Sequence, residues 1–258
     1  MDGYDKLKPY GSAINGCIDG VSRYVLWMEA YTTNSDPKVV ASYFIKTVSG
    51  IGGCRERIRA DRGTEQVSVE EMQMFLQRNH PESFAGERSV LCGRSTANQR
   101  IEGWWGTLRR QSAHFWMNLF QTLLEDGHFT GDFLDISLIQ FCYLNLVQDE
   151  LDEEVNTCSS HTIRPRSADD TASGRPVITY SFPEWPSAED RLKAVAMEEV
   201  NLCLEACSPK GQLPCHDTVF ELWCRLMAGN GWDDPADPFA AADLYILLRD
   251  EIPPQVFD

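Results

Sequence analysis

Apolar and polar positions along this chain change period several times, and each change marks an element. Residues 1–7 make a short strand candidate, closed by the turn Lys8-Pro9-Tyr10-Gly11. Ser12–Ile18 and Tyr24–Thr32 follow as two strands joined at Asp19-Gly20, a hairpin signal. Val25, Leu26, Trp27, Met28 and Ala30 make the second of these mostly apolar, as suits a central strand. Ser35-Asp36-Pro37 then supplies a cap residue and a proline for a helix start. The apolar face of that helix is Val39, Val40, Tyr43, Phe44, Ile45 and Val48, and Gly50, Gly52 and Gly53 stop it.

Arg55–Ala60 reads as a fourth strand, running into Asp61-Arg62-Gly63-Thr64-Glu65. Ser68 with Glu71 three residues on has the form of a capping box, ahead of the apolar positions Met72, Phe75 and Leu76. Ser89–Cys92 is a short fifth strand, and Gly93–Ala97 a polar loop. A long helix is expected from Asn98 to Glu125. In its first turns Ile101, Trp104, Trp105 and Leu108 repeat at i, i+3, i+4 and i+7. A second helix over Asp132–Asp149 is apolar nearly all round, and the acidic tract Asp149–Glu154 is expected to end it as a solvated face. His161–Pro176 reads as a linker, and further helices are expected at Ser187–Ala206, His216–Met227 and Ala240–Leu248. The expected organisation is therefore a core over residues 1–150, an extended arm over 151–186 and a helical acidic region over 187–258. The order of elements predicts an α/β fold with one mixed five-stranded sheet flanked by helices.

Charge divides the chain in two. Residues 1–120 hold 15 Lys and Arg against 13 Asp and Glu, a balance of +2, while the remainder holds 8 against 26, a balance of −18. The first part can approach a polyanion and the second repels one. The chain has no apolar run of about 18 residues and no apolar segment behind the start, so neither a membrane span nor a secretory leader is expected. Nine scattered cysteines in a chain read as intracellular are expected to be free thiols. Cys203, Cys207, Cys215, His216 and Cys224 form the one metal-like set, and buried thiols are the preferred reading over zinc.

Three carboxylates sit where an α/β sheet can gather side chains at one edge. Asp2 lies in the first strand, Asp61 just past the fourth, and Glu102 near the start of the long helix. Carboxylates that hold two hard divalent cations suit phosphodiester chemistry, one ion activating the attacking oxygen and the other stabilising the leaving one. Asp5 is an alternative to Asp2. Arg100, Arg109 and Arg110 are candidates for phosphate contacts, with a solvated helix face as the alternative. Trp104 and Trp105 read as core rather than as base-stacking platforms.

In these pieces the first 110 residues resemble the integrase core of retroviruses and related transposable elements, and most closely the transposon-derived integrase-core proteins of animal genomes. Met1-Asp2-Gly3-Tyr4-Asp5 stands in the place of that family's first-strand Asp, and Ile18-Asp19-Gly20-Val21-Ser22-Arg23-Tyr24 matches the hairpin after it. Arg59-Ala60-Asp61-Arg62-Gly63-Thr64-Glu65 corresponds to the segment after the fourth strand, with Arg62 where the family commonly has Asn. Asn98-Gln99-Arg100-Ile101-Glu102 corresponds to the helix with the catalytic Glu. Counting His161-Thr162-Ile163-Arg164-Pro165 as the post-core segment extends the likeness to about residue 180. The acids are 59 and 41 residues apart, the second spacing longer than the family's usual one, as a longer loop makes it. The sequence opens one residue before Asp2, so the first strand is expected to be short. It holds no His-His-Cys-Cys module ahead of the core and no basic barrel after it.

The resemblance implies an RNase H-like fold and a D,D,E triad of Asp2, Asp61 and Glu102 that holds two Mg²⁺ or Mn²⁺ ions. It further implies DNA as the partner of residues 1–120, possible homo-oligomers and a nuclear location. The function it implies is a polynucleotidyl transferase acting on DNA. A domesticated binding module of the same fold, no longer cutting or joining DNA, is the second reading, and a simple RNase H-like nuclease the third.

Overall fold

The computed structural model of the chain describes residues 1–61, 63–80, 84–93, 98–164, 173–184 and 190–251. Strands β1 (Asp2–Tyr4), β2 (Ala13–Ile18) and β3 (Val25–Tyr31) form an antiparallel sheet in sequence order. Asp2 faces Gly16 across the first pair, and Ile14 faces Ala30 across the second. Alternation along the strands feeds two cores. Tyr4, Ile14, Met28 and Ala30 enter one, and Met1 and Trp27 the other.

The Met1 core is covered by α1 (Pro37–Ile51), whose cap is Asp36 accepting from the Lys38 N–H, with Pro37 in the first turn. β4 (Cys54–Arg55) and β5 (Ile58–Asp61) divide the stretch that the sequence reads as one strand. α2 (Val67–Leu76) starts one residue before Ser68, behind a 3₁₀ turn at Thr64–Gln66 whose Gln66 is wholly buried, so the expected Ser68 cap is not used. β6 (Val90–Gly93) runs parallel to β5.

The five strands of the expected sheet do not make one ladder among the described residues. They hydrogen-bond as a triplet, β1-β2-β3, and a separate parallel pair, β5-β6. β1 spans only three residues, and beside it the Met1 amino group donates to the Arg59 carbonyl of β5 at 3.0 Å. Two-residue periodicity marks a strand but not which edge it joins.

The other face of the triplet carries α3 (Gln99–Leu108), a π turn at Arg109–Ala113 and α4 (His114–Glu125), so the expected long helix is interrupted once. α5 (Phe133–Ser160) runs through the acidic tract instead of ending at it. Val147 and Leu151 are buried and Val155 packs on the same core, so the apolar stripe continues at i, i+4, i+8 while the acids occupy the other faces. Gln148 of α5 also closes the free edge of β3, accepting from the Ala30 N–H at 2.8 Å and donating to the Met28 carbonyl at 3.0 Å.

Beyond α5 come α6 (Pro176–Ser181), β7 (Leu192–Lys193), α7 (Met197–Ala206), α8 (Asp217–Asn230) and α9 (Pro238–Asp250). The helix expected from Ser187 thus starts at Met197, because Leu192–Lys193 pairs with β4. α7 joins the Met1 core through Val200 and Cys203. α8 and α9 join the other core through Trp223, Tyr245 and Leu248, all fully buried. Cys203 and Cys215 therefore lie in different cores, and the metal-like set read from the sequence is not brought together. No described helix is long and apolar enough to cross a membrane.

A candidate carboxylate site

Three elements converge beside β1. Asp2 is buried, and both its oxygens are engaged: Oδ1 accepts from the Gly3 N–H at 2.9 Å and Oδ2 from the Trp105 indole N–H at 3.0 Å. Trp105 stands on α3 one turn beyond Glu102, so the helix that carries the third acid also holds the first one in place. Its ring packs on Tyr4, centroids 5.3 Å apart, and against Trp104, edge to face at 5.5 Å. Both tryptophans are buried as expected, and one of them has a polar task as well.

The ring needs a gap in β2. A Cβ on Gly16, the residue opposite Asp2, would lie 2.6 Å from the Met28 methyl carbon and 3.0 Å from the edge of the Trp105 indole. A side chain there forces the end of Met28 to move and crowds the edge of the indole. Asn98, just ahead of α3, adds a second tie by donating its amide to the Met1 carbonyl at 2.7 Å. Helix α3 is thus bonded to β1 on both sides of Glu102.

Asp61 closes β5, half-buried. Its Oδ1 accepts from Gln66 Nε2 at 2.9 Å and from the Gly63 N–H at 3.3 Å. Glu102 is exposed in the first turn of α3. Asp2 senses both. Burial pushes its carboxyl up from the usual 3.8 to about 6, the Trp105 and Gly3 hydrogen bonds oppose this, and the negative charges of Asp61 and Glu102 add to it. Asp5 turns elsewhere: it accepts from Asn34 Nδ2 at 2.7 Å and pairs with Lys8 at 3.3 Å on the surface.

Whether these residues suit a metal can be judged from their charges and spacing. The negative charges of Asp61 and Glu102 add to the cost of ionising the buried Asp2, and a divalent cation beside it relieves that cost. Among the described residues, however, no three His, Cys, Asp or Glu side chains stand close enough to form a ready-made cage. The set fits divalent cations by donor type and charge, and ligation requires the acids to draw together.

The arginines differ in setting. Arg109 and Arg110 are exposed in the π turn, and the Arg109 charge reaches the Tyr4 phenol, lowering a pKa that burial raises. Arg110 donates to Thr107 Oγ1 at 3.4 Å. Arg100 is half-buried in the first turn of α3. Arg62 and the loop residues 94–97 lie outside the described residues.

A family model for the integrase core domain matches residues 1–172. The chain belongs to the integrase core domain family. No curated protein and no solved structure matches it. The matched span includes α5 and ends ahead of α6, so α6 to α9 lie beyond it.

Trp105, Asn98, Gln66 and Gly16 are the site residues that sequence reading missed. Trp105 left a usable signal, since i and i+3 on a helix share a face and Glu102 is at i. Replacing Trp105 with Phe keeps the ring and removes the N–H. The Asp2 carboxyl is then expected to titrate higher than about 6, because a bond that favours its charged form is lost. NMR titration of the Asp2 carboxyl carbon checks this, and an unchanged midpoint disproves the assigned role of the indole.

Proposed function

We propose that this integrase core domain protein is a DDE-type polynucleotidyl transferase acting on DNA, with Asp2, Asp61 and Glu102 as metal-holding residues. Integrase core domains have a polynucleotidyl-transferase-like fold, generally use divalent metals and bind DNA, which supports the reading. The observation that carries it is the buried Asp2 carboxyl within electrostatic reach of the Asp61 and Glu102 charges. When bound, Mg²⁺ or Mn²⁺ supplies the positive charge for attack by a hydroxyl or water on a phosphodiester. Trp105 and Gly3 hold the Asp2 oxygens in one orientation, and Asn98 fixes the start of the helix that bears Glu102. Arg100, Arg109 and Arg110 supply phosphate contacts alongside. Such a role puts the protein with DNA in the nucleus.

A second reading, a domesticated module that binds nucleic acid or protein without cutting, draws support from the −18 balance beyond residue 120 and from the lack of a ready-made metal cage among the described residues. Plasmid nicking and strand transfer with Mg²⁺ or Mn²⁺ separate the two. Glu102→Gln is expected to lower the rate at least about a hundredfold, since even an outer-sphere partner of a metal ligand is worth up to about that factor. Activity of the wild type should climb with pH as Asp2 ionises, with a midpoint below the metal-free value of about 6 because the cation favours the charged carboxylate. Equal rates for both proteins overturn the role given to Glu102. No nicking by either, with salt-sensitive DNA binding retained, selects the second reading.

A further inference from the structure

Helix α9 is apolar on two faces. Its inner face, Ala241, Leu244, Tyr245 and Leu248, is buried in the core. On the opposite side Phe239, Ala242 and Ile246 follow at i, i+3 and i+7, and none of them is fully covered. Phe239 is 67% exposed, more than any other large apolar side chain among the described residues. It meets Phe115 of α4 edge to face, ring centroids 6.2 Å apart, and Phe115 is exposed as well. Leu119, one turn further along α4, is half-buried. α4 and α9 start together at this aromatic pair and run the same way, because Tyr245 donates to the His128 carbonyl, just past the end of α4, at 2.8 Å. An apolar seam about two turns long therefore lies open between them. Its α9 side stands beyond the matched residues 1–172. The charge around it has one sign. Residues 231–251 hold six acids, Asp233, Asp234, Asp237, Asp243, Asp250 and Glu251, all exposed, against Arg249, which Asp135 engages. Among the described residues none of the six forms an ion pair. Asp243 and Asp250 share the stripe of Phe239, four and eleven residues on.

We propose that the seam between α4 and α9 binds a basic amphipathic helix of a partner protein. Large apolar residues of that helix, at i, i+3 or i+4, and i+7, cover Phe115 and Phe239, and lysines or arginines on its flanks meet the unpaired acids. A helix fits because both walls are helices that keep their main-chain bonds to themselves. An extended segment would find no free backbone edge along the seam, whereas a helix brings its own backbone satisfied and needs only side-chain contacts. The basic flank follows from charge. Six unpaired acids repel a polyanion, and a second copy of this chain would bring the same six against them. Cations on the partner also favour the faces of the two phenyl rings. An exposed aromatic pair ringed by charge has the form of an interaction patch, with the rings as anchors and the acids selecting the partner. The inference is independent of metal binding by Asp2, Asp61 and Glu102.

Two capped peptides of about 18 residues test it, long enough to form a helix and sharing one leucine stripe. One carries lysine on its flanks and the other glutamate. Calorimetry on the 258-residue chain is expected to show one site for the lysine peptide and binding of the glutamate peptide at least about tenfold weaker. Affinity for the lysine peptide should fall as salt rises. Phe239→Ser, at an outward position, is expected to weaken it at least about tenfold, while Phe182→Ser, at an exposed phenylalanine beside α6, leaves it unchanged. If Phe239→Ser does not fold, the double variant Asp243→Lys with Asp250→Lys must reverse the preference toward the glutamate peptide. Equal affinity for both peptides, or binding of neither, overturns the proposal. So does lysine-peptide binding that ignores Phe239→Ser, which would assign it to acidic surface in general. A wild-type dimer in sedimentation that Phe239→Ser dissolves would overturn it in favour of a second copy of the chain.

Discussion

Asp2→Asn raises the melting temperature of the metal-free protein by roughly 5 °C at pH 8, and by progressively less as the pH falls through 6. The wild-type carboxyl has its folded pKa raised from 3.8 to about 6, first by burial and then by the charges of Asp61 and Glu102. A raised acid favours the folded state when protonated. That stability is complete below the unfolded value near 3.8 and lost as pH rises through about 6. At pH 8 the charged Asp2 thus costs about 3 kcal/mol relative to its protonated form. Asn removes the charge and still accepts from the Trp105 indole. Its amide cannot accept from Gly3, which costs about 1 kcal/mol, leaving a net gain of about 2. For a chain of this size that is roughly 4–8 °C. Thermal melts from pH 4 to 8 in chelator check the prediction, and a pH-independent difference defeats it. Adding Mg²⁺ should stabilise the wild type at pH 8 and leave the Asn variant nearly unmoved, because the cation offsets the same repulsion that the substitution removes.

That instability is the physical signature of the site, and the sequence announced only half of it. The positions of Asp2, Asp61 and Glu102 at strand ends and a helix start were legible, because element boundaries leave Gly, Pro and capping signals. What holds the acids was not. Trp105 belongs to an apolar i, i+3, i+4 stripe, and a stripe says which face is buried without saying that one indole N–H ends on a carboxylate. Asn98 looked like a helix start and ties that start to β1 instead of capping it. The acidic tract misled for a similar reason. Asp149–Glu154 counts as a charge run, yet Leu151 within it is 2% exposed and keeps the stripe of α5 in phase with Val147. The sheet was the least legible feature. Five strand-like runs were found, but which of them pair as a triplet and which as a pair is set by contacts between residues far apart in the chain, such as Met1 and Arg59, 58 apart.

A second carboxylate tilts the other way with pH. Arg249→Met is expected to lower stability by about 3 kcal/mol at pH 7, or roughly 6–12 °C in melting temperature. Asp135, in the first turn of α5, is fully buried and accepts from Arg249 Nε at 2.8 Å, the Tyr245 hydroxyl at 3.2 Å and Thr130. Its own N–H donates to the cap Asp132 at 2.8 Å, so the start of α5 and the end of α9 share one ionic knot. Burial alone would raise the Asp135 carboxyl, but the Arg249 and Thr130 bonds outweigh it and hold the group below the usual carboxylate range. A depressed acid contributes stability above its unfolded pKa and loses it as pH falls through the folded value. Removing Arg249 leaves the Asp135 charge buried without its cation, so the deficit is largest at neutral pH and shrinks on acidification as Asp135 takes up a proton. Acid therefore removes the advantage of Asp2→Asn, leaving it about 1 kcal/mol below wild type through the lost Gly3 bond, while it shrinks the deficit of Arg249→Met. A deficit for Arg249→Met that stays constant from pH 7 to pH 4 would show that it comes from lost packing of the arginine stem. Amide exchange adds a local readout, because α9 carries Tyr245 and Leu248 into the core through the same contact and should open before β2 and β3 do.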